Sequence, residues 1–124
     1  MSGIRILLAE DDSNLRKLIA KYLETEGYSV FSAEDGEKAL DIWYETPADL
    51  AILDVMMPNA NGWEVLSEIR EDSDIPVIML TARGFAIEDE KKEQLKIAEC
   101  LSKPFSPREV LKCIEETLVT CSVA

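Results

Sequence analysis

Leu50-Ala51-Ile52-Leu53-Asp54-Val55 is apolar at every position but one, and the exception is a carboxylate. A run that is apolar on both of its alternating faces reads as a strand covered on both sides, the kind a parallel sheet contains. A carboxylate buried without a partner at the end of such a strand costs several kcal/mol, so Asp54 points to a site as readily as to a structural accident. Immediately after it, Pro58, Asn59, Asn61 and Gly62 supply a loop and a helix start.

The same pattern repeats on either side. Ile4 to Ala9 is a near-continuous apolar run closed by Glu10, Asp11 and Asp12, and Ile75 to Leu80 is a third buried strand. Asp12 or Ser13 caps a helix with apolar positions Leu15, Leu18, Ile19, Tyr22 and Leu23, which Gly27 ends. Tyr28 to Ala33 is strand-like in its β-branched and aromatic content. Ala39, Leu40 and Trp43 form the inner stripe of a second helix stopped by Pro47, and Val65, Leu66 and Ile69 that of a third. Near the end, Ser106, Pro107 and Glu109 make a capping box with proline at the first helical position, and Leu111, Ile114, Leu118 and Cys121 continue one face.

Strand and helix alternate five times, which predicts a parallel sheet with helices on both faces. One segment fits poorly. Between Ile87 and Leu95 the run Glu-Asp-Glu-Lys-Lys-Glu-Gln has no apolar residue, so a fourth helix there lacks an inner stripe and is expected to be marginal, mobile or displaced.

Composition sets the outer limits. With 124 residues, 47% of them hydrophobic, the chain is the size of one ordinary domain. Thirteen Lys and Arg against 25 Asp and Glu leave a net charge of -12, which repels a phosphate backbone and speaks against direct nucleic-acid binding. No apolar run is long enough for a membrane span, and the first residues lack the layout of a signal peptide, so a cytoplasmic location is expected. Cys100, Cys113 and Cys121 lack Cys-x-x-Cys spacing and there is no His to complete a zinc site, so reduced, packed thiols are expected.

In an open parallel sheet the ligand site lies outside the carboxyl ends of the strands. The residues there are Glu10-Asp11-Asp12, Asp54, Thr81-Ala82 and Lys103-Pro104. Carboxylates gathered on one edge repel, and a divalent cation satisfies them. Magnesium suits the set best, since it takes one or two carboxylates and completes its shell with water and phosphate. Asp54 is then able to attack phosphorus, with the metal serving two phosphoryl oxygens, the Lys103 ammonium another, and the Thr81 hydroxyl donating one hydrogen bond. Taken singly, Asp12 is better explained as a helix cap, Thr81 as a strand-end residue and Lys103 as a surface lysine. Their joint placement at the strand ends is what argues for a site.

The blocks Ile6-Leu7-Leu8-Ala9-Glu10-Asp11-Asp12, Leu53-Asp54-Val55-Met56-Met57-Pro58-Asn59-Ala60-Asn61-Gly62, Leu80-Thr81-Ala82-Arg83 and Leu101-Ser102-Lys103-Pro104-Phe105 resemble the signature blocks of response-regulator receiver domains, in order and across almost the whole chain. The resemblance implies a flavodoxin-like, doubly wound α/β fold with five helices and a five-stranded parallel sheet of order 2-1-3-4-5. It implies Asp54 as phosphoacceptor, Glu10 and Asp11 as the acidic pair, the Met56 main-chain carbonyl as a further Mg2+ ligand, Thr81 as the switch hydroxyl and Lys103 as the phosphoryl-binding ammonium. A sensor histidine kinase or phosphotransfer protein is the implied donor, and a downstream protein or fused output domain the implied target. A cis bond before Pro104 is also implied. On this reading residues 1–119 form the receiver domain and 120–124 a C-terminal tail, and the chain catalyses only its own phosphorylation and slow dephosphorylation.

The chain also departs from the family. Cys100 stands where an aromatic switch residue is usual, Lys96-Ile97 replaces a Gly-Ala pair before the fifth strand, and Cys113 stands where the winged-helix regulators carry a dimer-forming arginine. Met56 and Arg83 fill the two variable positions that tune acyl-phosphate lifetime. These departures keep open a constitutive protein-binding module that does not switch. A flavin carrier is disfavoured because Glu10-Asp11-Asp12 repels a bare phosphate, and an aspartyl phosphatase because Met56 stands where its second acid belongs.

Overall fold

Five parallel strands, β1 (Arg5–Ala9), β2 (Ser29–Ala33), β3 (Leu50–Asp54), β4 (Val77–Thr81) and β5 (Ile97–Ser102), form one sheet in the order β2-β1-β3-β4-β5. The computed structural model describes residues 3–81, 93–103 and 106–122. Four helices are described: α1 (Ser13–Thr25), α2 (Gly36–Glu45), α3 (Gly62–Asp72) and α4 (Pro107–Ser122). The helix expected between Ile87 and Leu95 lies outside the described residues except for a helical turn at 93–95. Arg83, the bond before Pro104 and the Cys121 side chain lie outside them as well. The last helix continues to Ser122, into the segment set apart as a tail.

Strand alternation divides the core into two layers. Leu7, Leu53 and Met79 face Ala39, Trp43, Val65, Leu66 and Ile69 of α2 and α3. Ile6, Leu8, Ile52, Ile78 and Leu80 face Ile19 and Leu23 of α1 and Val110 and Ile114 of α4. Both faces are therefore covered, which is why β3 and β4 carry no exposed residue. Each fully buried aliphatic side chain contributes roughly 1.5–3 kcal/mol.

One of the apolar positions of α1 is not buried. Leu18 is 54% exposed, because it lies about 100° around α1 from Ile19, at the flank of the buried stripe and not on it. The helix starts follow the local chemistry. Asp12 accepts from the Asn14 and Leu15 amides at 3.0 and 3.1 Å. Asn61 and Glu64 form a reciprocal capping box at α3, and Ser106 and Glu109 form the one expected at α4, at 2.9 and 3.3 Å. Among the described residues no helix is long and apolar enough to cross a membrane.

Candidate functional site

The parallel register brings the carboxyl ends of β1, β3, β4 and β5 to one edge. Asp54 pairs with Leu80, and Thr81 with Ser102. The ladder runs one step past the strand ends, with the Val55 amide donating to Leu80 O at 2.9 Å and the Lys103 amide to Thr81 O at 2.9 Å. Backbone hydrogen bonds thus fix where each side chain of the site begins.

Glu10 is wholly buried, Asp54 and Thr81 are 2% exposed, and Asp11 is exposed. Lys103 Nζ reaches between the two buried acids, 3.0 Å from Asp54 Oδ2 and 3.3 Å from Glu10 Oε2. Glu10 is held at every polar point but one. Its amide donates to Ala33 O at 3.1 Å, its carbonyl accepts from Arg16 Nη1 at 2.8 Å, and Oε2 accepts from the Asp12 amide at 3.0 Å. Oε1 lies 3.3 Å from the Lys103 ammonium but finds no hydrogen-bond donor among the described residues. Asp54 Oδ1 accepts from the Met56 amide at 3.0 Å.

The electrostatics follow from burial. Desolvation pushes the Glu10 carboxyl up to about 7, with the nearby Asp54 charge adding to the rise and the Asp12 amide and Lys103 opposing it. Burial by itself lowers the Lys103 ammonium, but its hydrogen bond and attraction to Asp54, and its attraction to Glu10, outweigh this and raise it. One ammonium does not balance three carboxylates. Glu10, Asp11 and Asp54 each offer an oxygen within 4.8 Å of the others. An all-oxygen set with one buried oxygen lacking a donor suits a hard divalent cation, so the residues present fit magnesium.

Thr81 reaches the same edge, but its hydroxyl is turned to the Leu101 carbonyl of β5 at 3.4 Å, a long and weak bond. The Met56 side chain is 68% exposed at the rim. Asp12 is a cap, as its sequence position suggests.

Three features escaped the sequence reading. Arg16 holds the Glu10 carbonyl from the second turn of α1; its only sequence signal is a cation following the acidic run. Asn59, read there only as a loop former, adopts φ 71 and donates through Nδ2 to Asp35 Oδ2 at 2.8 Å. Gly62 lies so close to the phosphoacceptor candidate that a Cβ there would stand 2.4 Å from Asp54 O.

The departures sit elsewhere. Cys100 is half-buried on β5 and packs against the α2/α3 layer. Cys113 is buried in the other layer, which pushes its thiol up to about 12, so it stays protonated. Lys96 adopts φ 55, a left-handed conformation that costs a lysine about 1–2 kcal/mol. Arg70 secures the turn, donating to Leu95 O at 2.8 Å, Lys96 O at 3.0 Å and Ser73 O at 3.2 Å. Lys96 Nζ pairs with Asp74 at 3.0 Å.

Comparison with known proteins agrees with this geometry. Residues 6–115 match the model of the response regulator receiver domain. The chain is 43% identical over 114 residues to the transcriptional regulatory protein CpxR of Escherichia coli, covering 92% of this chain and 49% of that protein. It is 41% identical over 106 residues to the probable transcriptional regulator ycf27 of Guillardia theta, covering 86% and 42%. It therefore spans about half the length of these relatives, or less. Among solved structures, the chemotaxis response regulator CheY4 of Vibrio cholerae superposes with a TM-score of 0.84 at 28% identity, covering 94% of this chain and 99% of that one.

Proposed function

The chain belongs to the response regulator receiver domain family, and from that premise we propose that Asp54 accepts a phosphoryl group from a sensor histidine kinase or phosphotransfer protein, in a transfer that depends on magnesium. The observation that carries this reading is Lys103 Nζ lying 3.0 Å from Asp54 Oδ2 and 3.3 Å from Glu10 while Glu10 Oε1 has no hydrogen-bond donor among the described residues.

An Asp54 oxygen attacks the phosphorus of a phosphohistidine. The P–N bond breaks, its electron pair stays on the imidazole, and the ring takes up a proton. Glu10, Asp11, Asp54 and the Met56 main-chain carbonyl would hold the cation, which supplies positive charge to the phosphoryl oxygens when bound. Lys103 gives up part of its attraction to Asp54 and neutralises a phosphoryl oxygen. Thr81 breaks its 3.4 Å bond to Leu101 O to donate to another. That movement would bias the β4–β5 edge and a surface for a downstream protein or fused output domain. Water later attacks the acyl phosphate and restores Asp54, so the chain turns over no external substrate. A cytoplasmic site of action goes with a kinase donor.

Cys100 favours a second reading, a receiver that binds its partner whether or not Asp54 is modified. A small thiol on β5 has no ring to exchange between buried and exposed positions as Thr81 moves.

Intact mass after incubation with acetyl phosphate tests the main reading. A gain of one phosphoryl group that requires magnesium and is lost in Asp54→Asn is expected. No gain with native protein, together with no binding of beryllofluoride, would overturn it in favour of the constitutive binder.

A further inference from the structure

The loop between β3 and α3 leaves the sheet at Asp54 and returns at Gly62, so its shape decides where Asp54 points. Met56 N–H donates to Asp54 Oδ1 at 3.0 Å, and Gly62 N–H donates to Val55 O at 3.0 Å, closing the loop on itself. Its tip is held from outside. Asn59 Nδ2 donates to Asp35 Oδ2 at 2.8 Å, while Asp35 Oδ1 accepts from the Lys38 amide at 2.8 Å and caps α2. Beside that bond the two backbones touch, and a Cβ on Gly36 would stand 1.8 Å from Ala60 O. At φ 71 a glycine would sit with less strain than Asn59. A glycine could not make the bond to Asp35.

We propose that Asp35 and Asn59 are positioning residues for the cation-binding end of the site, their bond holding the loop that aims Asp54 through the Met56 amide and that carries the Met56 carbonyl. The inference rests on the magnesium reading given above. Neither residue belongs to the oxygen cluster of Glu10, Asp11 and Asp54; both act through the backbone between positions 55 and 61. The Lys38 and Asn59 donors hold the Asp35 carboxyl below its ordinary value, so it remains a charged acceptor at neutral pH.

Calorimetric titration of the full chain with magnesium chloride, beside the thermal midpoint of the metal-free protein, tests it. Asn59→Asp sets two carboxylates against each other, whereas Asp35→Asn combined with Asn59→Asp restores a donor and an acceptor in reverse and keeps a residue able to cap α2. We expect Asn59→Asp to weaken magnesium binding about tenfold, as loss of an outer-shell partner does, and the double substitution to return it to within about twofold. The added charge of Asn59→Asp would by itself tighten cation binding, so the expected direction separates positioning from simple electrostatics. If Asn59→Asp does not fold, Asn59→Gly removes the bond at a backbone angle glycine tolerates and is expected to show the same weakening.

Unchanged or tighter binding in the single variant, or a loss that the double substitution does not restore, would overturn the inference while leaving the magnesium site standing. Native protein that takes up no magnesium would overturn both, and that titration alone tells the two failures apart.

Discussion

The acidic edge of the sheet and the start of β5 solve the same problem, a backbone that must pass through a tight place, with opposite materials. Around Asp54 the crowding is met by glycine: Gly36 lies against Ala60 and Gly62 against Asp54 O, each where a Cβ would stand under 2.5 Å from a carbonyl oxygen. Before β5 the left-handed position is occupied by Lys96, and its cost is offset from a distance by Arg70, which donates to three carbonyls. The first arrangement is set by residues that the local geometry requires. The second depends on a side chain from α3, so it can be loosened without touching the strand.

The largest effect should come from the glycine side. Gly62→Ala forces a methyl group against the Asp54 backbone, where nothing flexible can yield, and we expect a loss of about 3 kcal/mol in urea unfolding together with loss of magnesium binding. Retained stability would mean that the loop relaxes freely, and the comparison would break.

A pH effect follows at the same edge. The Glu10 value in the folded protein, about 7, lies above its ordinary 4.5, so folded protein binds the extra proton between those values. The Glu10 contribution to stability of the metal-free protein is therefore greatest at the acid end of that window and falls as pH rises through it, by on the order of 2 kcal/mol. Urea midpoints measured in chelator from pH 5 to 8 should show this contribution, and Glu10→Gln should remove it. A slope that persists unchanged in Glu10→Gln would place the titration elsewhere.

On the other side, Arg70→Ala should cost about 1.5 kcal/mol, since three carbonyls, those of Leu95 and Ser73 half-buried and that of Lys96 exposed, lose a charged donor and the half-buried pair regains water only in part. Amide exchange is expected to rise at 95–98 and not at 50–55. Equal rises in both places would show that the two regions are not separable.

The smallest effect is the sharpest. Lys96→Gly relieves the left-handed strain but forfeits the exposed pair with Asp74, which contributes little, for a net gain of about 0.5 kcal/mol. In the Arg70→Ala background the gain should grow, because the strain is then no longer opposed by Arg70. A double-mutant cycle measures that coupling directly.

Legibility followed distance along the chain. Strand burial, the caps at Asp12 and Ser106, and the inner stripes of α2 and α3 depend on residues a few positions apart, so the periodicity displays them. The sheet order could not be derived from periodicity; it entered through family resemblance, and the pairing of β2-β1-β3-β4-β5 bears it out. Leu18 is apolar yet exposed, because the apolar residues of α1 span a wider arc than the face the helix buries.

By itself the sequence determined the class of fold and the identity of the polar residues at the strand ends, because buried strands and helix caps are written in short-range patterns. Tertiary structure decided what those residues do to one another. Lys103 meets Glu10 across 93 positions, Asn59 meets Asp35 across 24, and Arg70 reaches Lys96 across 26. Contacts of that range exist only once the crossovers have brought the strand ends together, and no local pattern records a partner that only the closed sheet supplies.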